Sequence, residues 1–300
     1  MRAKALGALE TTEMTEPSSE TITARAIRIG ALLSIHSAGS GHPGGSLSCA
    51  DLLAFIAANE LKWGEADATS PDRNRFVLSK GHACPALYAA AAQAGLIPRR
   101  QLLSLRKRGS PLQGHPNVLD LPWVETSTGS LGQGFSAAIG MAMGLRHRGS
   151  RARVYVMLGD GELQEGEVWE GAMCAAHYRL DNLCAVVDYN KMQSDDLNAN
   201  IMGLEPLQAK WTAFGWNSVE LDGHDPKAIA EAFDAARACR GRPSVLIAHT
   251  KKGRGVSYME GMPLWHGSVR LSDEDLRTAL ADLGASETFV ASYFSGTLWR

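Results

Sequence analysis

Nothing in these 300 residues stays apolar for the roughly 20 positions needed to cross a bilayer, and the N-terminus lacks the basic-then-apolar pattern of a secretory signal. An excess of one charge is missing too. Lys and Arg number 30 and Asp and Glu 32, a net of −2, so the chain carries no electrostatic footprint for nucleic acid. Its one basic cluster, Arg106-Lys107-Arg108, reads as a solvated helix end. Cysteine is scarce: Cys49, Cys84, Cys174, Cys184 and Cys239 are odd in number and form no C-x-x-C pair, which suits reduced thiols packed as small hydrophobes. No repeat and no long linker interrupts the chain. These absences give the expectation of a soluble, cytoplasmic protein with neither membrane nor nucleic acid as a partner.

What is present is a 45% hydrophobic composition, enough to bury a full core. Residues 1–20 mix small and acidic residues around Pro-Ser-Ser and read as a loose tail, leaving 21–300 as one large domain. From Thr21, Ile22, Ala26, Ile29, Leu32, Leu33 and His36 recur at helix spacing and run into "SAGSGHPGG", whose glycines end the helix. A second helix is expected in "SLSCADLLAFIAANEL", with Ser46 or Ser48 as N-cap. Strands are expected over 75–79, 152–158, 182–190, 217–223 and 243–250, separated by helices; after them come a helical "LSDEDLRTALADLG" and a short tail. Near-continuous apolar strands alternating with helices predict an α/β fold, a parallel sheet flanked by helices on both faces.

The chemistry concentrates at strand ends. "VYVMLGDGELQEG" (154–166) runs a buried strand into Gly159-Asp160-Gly161. In open parallel sheets ligands bind at the carboxyl ends of strands, and flanking glycines let a phosphate or metal approach the backbone. The next strand, in "AVVDYNKMQ", delivers Asn190 to the same edge. A carboxylate, an amide oxygen and a backbone carbonyl just beyond, such as that of Met192, suit Mg²⁺ or Ca²⁺ bridging a diphosphate. Each turn alone is an ordinary structural sequence; their joint placement after consecutive strands carries the signal.

"GDGELQEGEVWEGA" followed by "VVDYNKMQ" resembles the signature of thiamine diphosphate enzymes, and the QEG segment narrows it to the transketolase branch. "SAGSGHPGGSLS", "RFVLSKGHACPALYA", "LQGHPN", "VETSTGSLGQGFSAAIGMA" and "KGRGVSYMEGMPLWHG" agree in register over about 21–270, and the chain resembles in particular the N-terminal subunit of a split transketolase. The resemblance implies the thiamine diphosphate-binding fold, with His42 near the cofactor's reactive carbon and diphosphate, His82 on the diphosphate, His115 facing the sugar's oxygens, and His266 near diphosphate and donor. It implies backbone contacts from Gly129 and Leu131 to the aminopyrimidine, metal ligation by Asp160, Asn190 and the Met192 carbonyl, and a diphosphate amide at Gly161 beside Gly159. Glu165 and Glu170 match an acidic network that links paired sites, and Glu165 is counted with the cofactor-binding residues; a solvated helix face is the alternative. Imidazoles, glycine amides and a divalent ion together can neutralise a diphosphate, and a histidine can move protons to and from sugar hydroxyls. His36, His147, His177, His224 and His249 lack such a context.

In that family a second, pyrimidine-binding domain supplies a glutamate that activates the cofactor. About thirty residues follow His266, too few for another sheet domain. The expectation is therefore a partner polypeptide carrying that domain, in an α2β2 heterotetramer acting on sugar phosphates. Delivery of a glycolyl unit to a lipoyl group or carrier protein, and a non-catalytic regulatory homologue, are the competing readings. A nucleotide-binding dehydrogenase fits poorly: no G-x-G-x-x-G turn follows a strand, and "GQGFSA" lacks the last glycine.

Overall fold

The first helix, α1 (Ala24–Ala38), starts where Thr23 Oγ1 accepts from the Ala26 N–H at 3.2 Å and stops at Gly39, whose φ of 71° closes its C-terminus. A computed structural model describes residues 22–63, 70–194 and 196–299; the tail expected over 1–20 lies outside them. The second helix does not begin at Ser46 or Ser48. It begins at Pro43, as α2 (Pro43–Ser48), and continues after a break as α3 (Ala50–Phe55) and one π-helical turn to Glu60. Proline at the first helical position presets φ and has no N–H to leave unsatisfied, so the helix starts there without a side-chain cap. The two serines serve other ends: Ser46 Oγ donates to the His42 carbonyl, and Ser48 Oγ donates to Asp188 at 2.6 Å.

Next come strand β1 (Arg75–Leu78), α4 (Cys84–Gln93), a long loop with 3₁₀ turns, α5 (Gln133–His147), β2 (Val154–Gly159), α6 (Gly166–His177) and β3 (Leu183–Tyr189). A small antiparallel pair, β4 (Met192–Gln193) and β5 (Asp196–Leu197), precedes β6 (Asn217–Asp222), the helix Pro226–Ala238 and β7 (Ser244–His249). The five long strands form one parallel sheet in the order β1-β2-β3-β7-β6.

Strands β2 and β3 are buried at every position, as a central parallel strand must be. Alternate residues serve opposite faces. Tyr155, Met157, Cys184, Val186 and Leu246 pack with Leu52, Leu53, Ile229 and Phe233, whereas Val154, Val156, Ala185, Val187 and Ile247 pack with Phe135, Ile139, Trp211 and Trp216. At the sheet edge β6 departs from the apolar pattern, with Glu220 and Asp222 exposed, because only one neighbour covers it. The chain end also differs from the short tail expected after 284. Ser286 caps a helix, Glu287–Phe294, whose aromatic residues lie against the core built around α1.

Candidate active site

Because all five strands run the same way, their carboxyl ends share one edge, and a cavity of about 270 Å³ opens there. Asp160 arrives directly after β2 and Asn190 directly after β3. His42 comes from the turn between α1 and α2, His82 from the 3₁₀ turn after β1, His115, Gly129 and Leu131 from the loop before α5, and His266 from the segment after β7. With Gly159, Gly161 and Met192 these residues line a single cavity. Glu165 does not join them. It and Glu170 are exposed, Glu165 at the start of α6 and outside the cavity wall.

Three imidazoles form a triangle, with ring centroids 5.3 Å apart for His42–His82 and His82–His266 and 6.2 Å for His42–His266. His115 stands against Gly129, which takes φ 151°; a Cβ there would meet the imidazole at 3.1 Å. Burial holds the rings neutral, helped by neighbouring positive charge. It takes His42 down to about 4 with Arg106, His115 and Lys252 adding to the effect, and His266 down to about 3 with Lys252 adding most. His82 falls well below the ordinary range through burial and Lys80, and His115 shifts the same way through burial and Arg106.

Carboxylates behave in two ways. Burial and the charge of Asp188 push Asp160 up to about 6, although Lys252 and the Gly161 and Lys191 amides favour its ionised form. Burial would raise Asp188 as well, yet Lys80, Ser48 and Thr250 outweigh it and hold that carboxyl below its usual range. Asp188 also accepts from Asn190 Nδ2 at 3.3 Å, while Asn190 Oδ1 accepts from the Met192 N–H at 3.2 Å, which fixes the amide's orientation.

The donors present fit a hard cation. A carboxylate, an amide oxygen and a main-chain carbonyl are all oxygen ligands, and the Met192 carbonyl already accepts from a cation, the Lys252 ammonium, at 2.9 Å. Among the described residues no group of three His, Cys, Asp or Glu side chains is placed to hold a metal. Such a group is not required where phosphate oxygens and water complete the shell.

Comparison with known proteins decides the family. A family model described as transketolase, thiamine diphosphate binding domain, matches residues 19–292. The chain belongs to that family. It is 42% identical over 260 residues to the 6-deoxy-6-sulfo-D-fructose transketolase subunit of a Clostridium species, covering 87% of this chain and 94% of that one. It is 38% identical over 240 residues to an apulose-4-phosphate transketolase subunit of Phocaeicola vulgatus, covering 80% and 85%. Rat transketolase is 42% identical over 246 residues, which are 82% of this chain and only 39% of the rat protein. A crystal structure of a Pichia stipitis transketolase superposes with a TM-score of 0.82 at 30% identity, covering 94% of this chain and 44% of that one. The chain is thus a transketolase-type thiamine diphosphate-binding N-terminal subunit, with the parallel-sheet fold of those enzymes.

Several side chains of this transketolase-type site escape sequence reading. Lys80 follows β1 and Lys252 lies three residues past β7; both are buried, and both line the cavity. A lysine just beyond a parallel strand's carboxyl end was the available signal. Glu162, buried behind Asp160, accepts from Ser79 Oγ, the Gly132 N–H at 2.9 Å and the Gly159 N–H at 3.0 Å, tying the Gly129–Leu131 loop to two strand ends. Arg106 corrects the reading of its cluster as solvated: its guanidinium turns inward to Ser40 Oγ at 2.8 Å and His42 Nδ1 at 3.5 Å. No helix of the described residues is long and apolar enough to cross a membrane.

Proposed function

We propose that this chain holds the diphosphate and a Mg²⁺ ion of thiamine diphosphate in a two-subunit transketolase. That enzyme transfers a two-carbon ketol unit from a ketose phosphate to an aldose. The observation that carries the reading is the convergence, in one cavity at one sheet edge, of His42, His82, His115 and His266 with Asp160 and Asn190. When bound, thiamine diphosphate supplies the nucleophilic carbon for carbon–carbon cleavage.

The chain's own residues bind, orient and move protons. His82, His266 and the Gly161 amide face the space for phosphate oxygens, and Asp160, the Asn190 amide oxygen and the Met192 carbonyl hold the cation, Lys252 yielding the carbonyl. Gly129 and Leu131 would bound the aminopyrimidine, His115 exchanges protons with sugar hydroxyls, and His42 donates beside the reactive carbon and diphosphate. A second polypeptide carrying the pyrimidine-binding domain completes the site, in an α2β2 assembly. The relatives named as transketolase subunits support this arrangement, and their substrates, a sulfonated and a phosphorylated ketose, support a ketose with an anionic tail.

Calorimetric titration of thiamine diphosphate with Mg²⁺, on the chain alone and with the polypeptide encoded beside it, tests the proposal. Binding and ketol transfer are expected in the complex, and Asp160→Ala or Asn190→Ala should abolish metal-dependent binding while circular dichroism stays unchanged. Normal cofactor binding by either variant would refute the metal assignment. Absence of binding in the wild-type complex would refute the function.

A further inference from the structure

Two of the cavity's histidines are backed by side chains that can only donate while charged. His266 Nδ1 stands 2.6 Å from the Lys252 ammonium, and His42 Nδ1 stands 3.5 Å from an Arg106 guanidinium nitrogen. Neither an ammonium nor a guanidinium has a lone pair to offer, so the ring nitrogen facing each must accept. The ring's one proton is then on Nε2, which for both residues has no hydrogen-bond partner among the described residues, in rings that line the cavity. A second proton would place an imidazolium N–H against a cation.

The two cations are themselves fixed. Lys252 is 1% exposed, and its stem lies so close to Gly44 that a Cβ there would meet its Cγ at 2.9 Å. Arg106 sits in the left-handed backbone region at φ 59°, is held by Ser40 and Ser268, and lies so close to Gly114 that a Cβ there would meet its Nε at 2.9 Å.

We propose that Arg106 and Lys252 are positioning residues that hold His42 and His266 as neutral Nε2–H tautomers, presenting two preset N–H donors to the oxygens of an anionic ligand. The ligand class rests on the proposed function, but the tautomers are a property of the chain itself. The charged and titratable groups facing His266 are Lys252, His42 and Lys80 with the His82 ring at 5.3 Å, and those facing His42 are Arg106, His115 and Lys252 with the His82 ring at 5.3 Å and the His266 ring at 6.2 Å. Every cation among them opposes a second proton.

Long-range ¹H–¹⁵N correlation spectra of the full-length chain, labelled with ¹⁵N-histidine and without cofactor, test this at about pH 6, where an ordinary histidine is largely protonated. His42→Gln and His266→Gln assign the two rings. Both should show the neutral Nε2–H pattern in the wild type. Lys252→Met should turn the His266 signal into a tautomer mixture or imidazolium, and Arg106→Met should do so for His42, whereas Arg106→Lys keeps the wild-type pattern. An Nδ1–H ring or an imidazolium in the wild type would overturn the inference, as would unchanged spectra in both methionine variants. If Lys252→Met does not fold, the wild-type spectrum and Arg106→Met still decide. Because no cofactor is added, failure here is distinct from failure of the calorimetric test.

Discussion

The Lys80–Asp188 pair lies beneath the candidate metal ligands, with Asp188 fully buried and Lys80 1% exposed. Asp188→Asn would remove the carboxylate and leave the ammonium with the Gly45 carbonyl, at 3.0 Å, as its acceptor. Breaking a buried pair from one side costs about 3–5 kcal/mol, because the surviving charge stays desolvated. Unfolding entropy is about 2.1 cal/mol/K per residue, so over 300 residues that loss lowers Tm by about 5–8 K.

The double variant Lys80→Met with Asp188→Asn should recover much of the loss, since no charge then remains buried. The pH dependence is fixed by the two shifts. Asp188 has its folded pKa depressed, so its stabilisation is present above the unfolded value of about 4 and is lost as pH falls through the lower folded value. Burial would depress Lys80, but Asp188 raises it, so its contribution is present below the unfolded value of about 10.4 and is lost only above that. The pair itself therefore contributes no pH dependence between about pH 5 and 9, and the steps expected inside that range belong to Asp160 at about 6 and Lys252 at about 8, which both feel the Asp188 charge. Thermal unfolding followed by circular dichroism across that range is the assay. A single variant within about 1 kcal/mol of wild type, or a double variant no more stable than the single one, would refute the assignment of a buried, charged pair.

Gly81→Ala would place a Cβ 2.7 Å from Thr128 Oγ1 and 2.9 Å from the Gly129 nitrogen, displacing the loop at the cavity wall. A stability loss of about 1–3 kcal/mol is expected. Cofactor affinity in the complex should fall at least about tenfold, which calorimetry would show. Glu165→Gln, on an exposed residue outside the cavity wall, should leave cofactor affinity within about twofold, since it removes no contact to the ligand space. His115→Ala should lower kcat by about a hundredfold or more with cofactor affinity little changed, because the exposed ring at the cavity wall is assigned to the sugar's hydroxyls; steady-state kinetics at saturating cofactor separates the two.

Much of the site was legible because it is built from local signals. An apolar run ending in Gly-Asp-Gly, and another ending in Asn190, each specify a buried strand and what stands at its end. The stop at Gly39 is likewise written within a few residues of the helix end, whereas the start falls at Ala24, behind the Thr23 cap, rather than at Thr21. Parallel direction follows from the helices between strands, and direction alone sends Asp160 and Asn190 to one edge.

Only the tertiary structure decided what depends on distant pairing. Insertion of β7 between β3 and β6 has no local signature, and it brings Thr250 and Lys252 beside residues some 60 positions earlier. Lys80, Lys252 and Arg106 would each be read as solvated cations from sequence, since lone charges are costly to bury. The burial of Lys80 and Lys252 becomes tolerable only when Asp188 and the Met192 carbonyl are folded against them, and the half-buried Arg106 turns inward only when Ser40 is there to accept. The sequence by itself thus determined which chemical groups reach the sheet edge. Folding decided which cations stand behind them, because the free energy of burying a charge is set by acceptors far away along the chain.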